Sequence, residues 1–198
     1  MEQSTPPPTV HPYPVRFSVE YPDRPLNRLT SGFRILTVIP IAIVLFAIHA
    51  SLMFLPVLLM VLFRQKYPRW WFDWNLNYQR FTNRVVAYAL LMDDRYPSTD
   101  DEQGVRLEYD YPDAERDLNR WLPLVKWLLA IPHLVVLLFL FLGVLFAAVA
   151  AWFAILFTGR YPRGLFDFVE GSLRWSNRVV GYALALVTDR YPPFSLQP

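Results

Sequence analysis

Two stretches of this chain, Ile35 to Phe63 and Leu128 to Phe157, run for about 29 and about 30 residues without a charged side chain. As a helix, about 20 consecutive apolar residues suffice to cross the hydrocarbon core of a bilayer. Hiding two such helices in a soluble core needs a large shell around each, more than 198 residues can supply. Composition points the same way. Hydrophobic residues make up 54% of the chain and charged residues 18%, and the 17% aromatic share suits a chain that meets the lipid–water interface. These features predict a membrane protein.

The apolar runs belong to a longer repetition. VRFSVEYPD at Val15 to Asp23 returns as VRLEYDYPD at Val105 to Asp113, and LNR at Leu26 to Arg28 returns at Leu118 to Arg120. Ile39-Pro40 is matched by Ile131-Pro132, and NRVVAYAL from Asn83 by NRVVGYAL from Asn177. Each half closes on Asp-Arg-Tyr-Pro, at Asp94 to Pro97 and Asp189 to Pro192. Such self-similarity predicts two tandem repeats, residues 15–98 and 105–198. The proline-rich segment 1–14 ahead of them reads as a disordered tail. It lacks the basic and apolar regions of a cleavable signal.

Each repeat has four parts. Val15, Phe17, Val19 and Tyr21 alternate with polar residues, as do Val105, Leu107, Tyr109 and Tyr111, which predicts a short strand. A lone strand is marginal, so the two are expected to pair with each other or with another chain. The apolar run follows, then a Tyr-Pro-Arg junction rich in Trp and Phe, the composition of a headgroup-level belt. Last comes a stripe at helical spacing, Leu165, Phe168, Val169, Leu173, Val180 and Leu184, opposite polar residues. That predicts an amphipathic helix in the membrane interface. The fold class is therefore a mainly α membrane protein of two repeats, each a strand, a hydrophobic helical run and an interfacial helix.

Two topologies compete for the apolar run. A single crossing would begin at Pro40 and Pro132 and would place the two strands on opposite sides of the bilayer. A helical hairpin would keep both ends of each run on one side. Arg24, Arg28 and Arg34 precede the first run, and Arg64, Lys66 and Arg69 follow it. Basic residues at both ends favour the hairpin under the positive-inside rule. Its turns would fall at His49-Ala50-Ser51 and at Gly143.

The chain has no cysteine, which excludes disulfides, thiolate metal sites and cysteine nucleophiles. His11, His49 and His133 have no second ligand at helical spacing, so no metal or cofactor is expected. Asp73 and Asp167 each follow an arginine by four residues, the spacing of a helical ion pair rather than of a catalytic pair. No residue is expected to be catalytic. A net charge of +2 gives no case for a nucleic-acid partner. Arg80 with Arg84, and Arg174 with Arg178, stand four apart on the polar face of each amphipathic helix, where anionic headgroups would relieve their repulsion. Gly143, Ala147 and Ala151 form a small-residue stripe suited to close helix packing.

The segments AWFAILFTGRYPRGLFDF, Ala151 to Phe168, and YALALVTDRYPPFSL, Tyr182 to Leu196, resemble bacterial membrane proteins grouped as domain of unknown function 4389. The resemblance extends over Tyr13 to Leu196 when both repeats are counted. It is looser in the first, where Trp70-Trp71 stand in place of Gly164-Leu165. It implies a bacterial cytoplasmic membrane and supplies no catalytic residues. The expected role is that of a non-enzymatic scaffold or accessory subunit. Its partners would be membrane lipids, anionic ones included, and other membrane subunits or a second copy. The alternative is a small transporter or channel built from the duplicated units.

Overall fold

Alternation along Val15–Val19 and Val105–Tyr109 puts every second side chain on one face, and both segments are strands, β1 and β2. The computed structural model describes residues 13–52, 54–99 and 101–198. In it β1 and β2 pair antiparallel, with Phe17 opposite Leu107. Val15, Phe17 and Val19 face inward with Val105, Leu107 and Tyr109, while Arg16, Ser18, Arg106 and Glu108 face out. The expected tail lies outside the described residues over 1–12. Its last two residues are held: the Pro14 carbonyl accepts from the Asp110 N–H at 3.0 Å, and the Tyr13 hydroxyl donates to the Arg190 carbonyl at 3.2 Å.

The remaining elements are helices. In the first half they are α1 (Arg28–Gly32), α2 (Arg34–Leu52), α3 (Leu55–Leu59) and α4 (Arg69–Ala89); α3 runs on into a π-helical turn, Met60–Arg64. In the second half they are α5 (Pro123–Leu129), α6 (Ile131–Thr158) and α7 (Arg163–Ala183). Pro132 sits in the first turn of α6, where its missing N–H breaks no bond. Pro40 falls inside α2 and removes one rung there. Gly159 ends α6 in the left-handed region at φ 74°, and Gln65 does the same after the π-turn at φ 45°.

The second apolar run is not a hairpin. Gly143 lies in the middle of the unbroken α6, 28 residues long. A single glycine weakens a helix by only about 1 kcal/mol, and a run apolar on every face carries no polar turn to outweigh the helical bonds. In the first run the turn expected at His49-Ala50-Ser51 is not there: these residues lie within α2, which ends at Leu52, and α3 begins at Leu55.

Three layers result. The side chains of α7 that meet α6 include Phe168 against Gly143 and Trp175 against His133. Those that meet β1 are Glu170, Arg174 and Gly181. At 100° per residue the two sets lie roughly 140° apart around the helix. So α7 is sandwiched, with β1 on one side and α6 on the other. In the first half α4 packs between β2 and α2. The strands are exchanged: β1 lies on α7 and β2 on α4, so each half supplies the strand that covers the other half's helix.

Both amphipathic helices form, but their apolar stripes face protein. Phe72, Leu76 and Val85 of α4, and Phe166, Val169 and Leu173 of α7, are buried in the core. Fully burying a side chain of this size is worth ~1.5–3 kcal/mol. The same 3.6-residue period serves a membrane interface or a core, and here the strand and the apolar helices fill the place expected for lipid.

Candidate functional site

Polar groups that are buried must be paired, so their partners reveal how the chain uses them. The first such set lies where each apolar run begins. Asn27 caps α1, its side-chain oxygen accepting from the Leu29 and Thr30 N–H groups at 2.9 and 3.2 Å. Its own backbone N–H donates to Asp94 Oδ2 at 2.7 Å. Asp94 Oδ1 in turn takes Arg34 Nη2 at 2.6 Å, and Arg34 also donates to the Asp93 carbonyl and lies 4.0 Å over the Tyr88 ring. The second half repeats this. Asn119 Oδ1 accepts from Trp121 and Leu122, its N–H donates to Asp189 Oδ2 at 2.6 Å, and Lys126 Nζ stands 2.7 Å from Asp189 Oδ1. Lys126 donates to the Thr188 carbonyl and faces the Tyr182 ring at 4.9 Å.

Arg34 and Lys126 are buried. Burial pushes the Lys126 ammonium below its ordinary pKa, and the hydrogen bond and charge of Asp189 pull it back up. Each lock joins the last residues of a half to the head of that half's apolar run. The closing aspartates read locally as turn residues; the structure gives them this second role. The signal was present in the sequence as Arg34 and Lys126, one cation at the same place in each repeat, with one aspartate closing each.

The second set lies along the strands. Arg80 Nε donates to the Leu107 carbonyl at 2.9 Å, and Arg174 Nε donates to the Phe17 carbonyl at 3.0 Å. Arg174 also reaches the Leu196 carbonyl and Glu170 Oε1, at 2.8 and 2.7 Å. Arg84 donates to the Ser98 carbonyl, and Arg178 to the Ser195 and Gln197 carbonyls. Both outer edges of the sheet are thus met by guanidinium groups, which occupy acceptors that an open edge would offer to another strand. Burial, and then the charge of Arg174, lower the pKa of Arg178. Two open clefts flank the strands, of about 520 and 420 Å³, the first lined by Arg80 and Arg84 and the second by Arg174 and Arg178.

Asn83 and Asn177 meet where α4 crosses α7 and exchange two amide hydrogen bonds. The remaining sequence candidates are placed as follows. Ala147 and Ala151 are buried on the stripe of α6 that faces the core, and a Cβ at Gly143 would come within 3.1 Å of Phe168 Cζ. Arg69–Asp73 and Arg163–Asp167 are ion pairs within one helical turn, at 3.1 and 3.6 Å. His133 is buried, accepts at Nδ1 from Trp175 Nε1 at 3.0 Å, and stacks on Phe194 at 4.0 Å between ring centroids. That bond leaves the ring proton on Nε2. His11 and the side chain of His49 lie outside the described residues. Among the described residues no group of three or more His, Asp or Glu is placed to hold a metal ion.

The outer surface of α6 is of a different kind. Its exposed positions from Ile131 to Phe157 are all apolar, among them Leu138, Phe139, Leu145 and Phe146, each more than half exposed. The most apolar window of this helix has a mean hydropathy of 3.0, and only 22% of it is buried within the protein. By length and composition α6 alone among the described helices could cross a membrane.

The profile of the family described as Domain of unknown function (DUF4389) matches residues 121–195, which take in α5, α6, α7 and the closing Asp189. No curated protein and no solved structure matches the chain.

Proposed function

We propose that this protein is a membrane-anchored scaffold, or an accessory subunit of a membrane complex, without chemistry of its own. The observation that carries the reading is the outer face of α6, an uninterrupted apolar surface that the other described residues leave uncovered. Soluble monomers rarely leave contiguous apolar patches above a few hundred Å² in contact with water, and larger ones mark a membrane or protein contact. The buried charged and amide groups support a structural role, because Arg34, Lys126, Asn83 and Asn177 are engaged by partners within the chain. The paired locks, paired edge arginines and paired asparagines support an origin by tandem duplication. The setting is the cytoplasmic membrane of a bacterium, as the resemblance implies. The apolar helices hold the lipid, and the sheet with its two clefts offers the partner surface. In this reading Arg80 and Arg174 hold the strands, and Arg84 and Arg178 hold the closing segment of each half. Headgroup contact falls to exposed basic residues at the ends of α6 and α5, such as Arg160 and Arg120.

Purification of the tagged full chain from its own membranes in mild detergent tests the role. A discrete heteromeric complex is expected. A homo-oligomer enclosing a polar path would favour a transporter or channel instead.

A further inference from the structure

Two facts about α6 are at odds with a helix that crosses the bilayer. First, the chain that follows α6 comes back to its start, where Asp189 meets Lys126 at 2.7 Å, so a crossing by α6 that leaves the end of the chain on the far side of a membrane is closed. Second, polar chain runs beside α6 from its start to its midpoint. α6 lies along α7 from Ala130 and Leu137, which cluster with Trp175, Val179 and Tyr182, through His133 at Trp175, to Gly143 at Phe168. β1 follows the same α7 on its far side: Val15 at Gly181, Phe17 at Arg174, Val19 at Glu170, then Tyr21 at Phe166. The exposed side chains of that strand are Arg16, Ser18 and Glu20, and Arg106 and Glu108 stand beside them on β2. Were α6 upright in a bilayer, these charges would sit at hydrocarbon depth, where charged groups are costly and rare.

We propose that α6 lies flat in a single leaflet, its outer face against the acyl chains and the charged sheet towards water. This rests on the membrane reading above and fixes its geometry. The layers are in the required order: apolar helix, amphipathic helix, polar strand. With helix axes 8–10 Å apart, the charges of the sheet stand well outside the acyl region when α6 is immersed. The occupant of the face is lipid rather than a protein, because the face is convex. Its exposed large apolar side chains spread about 160° around the helix, from Phe141 to Phe139 at 100° per residue. A second protein helix would cover a narrower stripe, whereas fluid acyl chains cover the whole arc. α2 also exposes large apolar side chains, Ile35, Leu36 and Ile43 among them. In the bilayer plane the length of α6, about 42 Å at 1.5 Å per residue, needs no match to the ~30 Å core.

Because the chain has no cysteine, single labels can test this directly. Val135, Leu142, Val149 and Phe153 share the outward face, are about half exposed, and span about 27 Å of helix. Each is replaced in turn (Val135→Cys, Leu142→Cys, Val149→Cys, Phe153→Cys), spin-labelled and reconstituted in phosphatidylcholine–phosphatidylglycerol vesicles. Depth is read from relative accessibility to oxygen and to a water-soluble nickel chelate. A flat helix places all four labels at one depth, to within roughly 5 Å, the half-width of a helix. A profile deepest near Leu142 and rising to the headgroups at Val135 and Phe153 would overturn the proposal while leaving the membrane reading intact. Labels that all remain in water would overturn both.

Discussion

Asn83 and Asn177 face each other at the crossing of α4 and α7, each amide donating to the other's oxygen, at 2.8 and 2.7 Å. Each also donates to a carbonyl one turn back in its own helix, Gln79 or Leu173. Both are buried. Removing one partner strands the other, so Asn177→Ala should cost about 1–3 kcal/mol. Replacing both with leucine should recover part of that loss, because no unpaired amide remains. Thermal unfolding of Asn83→Leu, Asn177→Leu and the double leucine variant in one detergent checks this. Additive losses would show that the two amides are uncoupled.

The lock at the head of α6 gives the sharper effect. Asp189→Asn removes the charge that compensates the buried Lys126, and breaking a buried pair from one side typically costs 3–5 kcal/mol. Lys126→Met on that background should restore stability, since no buried charge is then left. The pH dependence has a definite sign. Burial holds the folded Lys126 pKa below its ordinary value of 10.5, so between the two values the unfolded chain binds more protons. Stability should therefore rise with pH in that window, and the rise should be absent in Lys126→Met. Parallel pH series of wild type and variant would read the difference.

At higher pH the tyrosines act in the opposite sense. Burial raises the pKa values of Tyr67, Tyr109 and Tyr161 above the ordinary 10.0. Their contribution is complete below that value and is lost as pH rises towards the folded values, because only the unfolded phenols ionise. Tyr161 is the useful probe. Its hydroxyl is buried without a hydrogen-bond partner among the described residues. Tyr161→Phe should be neutral or stabilising by up to about 1 kcal/mol at pH 7, and should lose less stability above pH 10. A net loss at neutral pH would show that the hydroxyl has a partner.

Arg174 should behave as a structural fork. Its three acceptors, Phe17 O, Leu196 O and Glu170 Oε1, are met by one planar guanidinium. Arg174→Ala should cost about 1.5–3 kcal/mol, the range of hydrogen bonds to a charged group. Arg174→Lys should not restore it, because an ammonium cannot reproduce the fork. Binding of the folded fraction to anionic vesicles should be unchanged in both. A selective loss of vesicle binding at full stability would return Arg174 to the headgroup.

The sequence carries some of this architecture openly and hides the rest for physical reasons. Alternation in Val15–Val19 and the 3.6-residue stripe of α7 are local signals, and both elements form where they predict. What covers α7 is not a local property. The acceptor of Arg174 lies 157 residues away, so an arginine aimed at a strand carbonyl is indistinguishable from one aimed at lipid. The apolar run is opaque for another reason. When every face is apolar, the stripe of Leu137, Val144, Ala151 and Ile155 that meets the core does not stand out, and neither does the absence of a turn at Gly143. Asp94 and Asp189 were legible as a repeated pair, but their partners lie 60 or more residues back.

The central claim is that the uncovered face of α6 is held by lipid. Flotation of the full chain with phosphatidylcholine–phosphatidylglycerol vesicles, followed by an alkaline carbonate wash, tests it most directly. The chain should float with the vesicles, resist the wash and leave the membrane only in detergent. A chain that stays at the bottom of the gradient as a monodisperse species in detergent-free buffer would contradict the account.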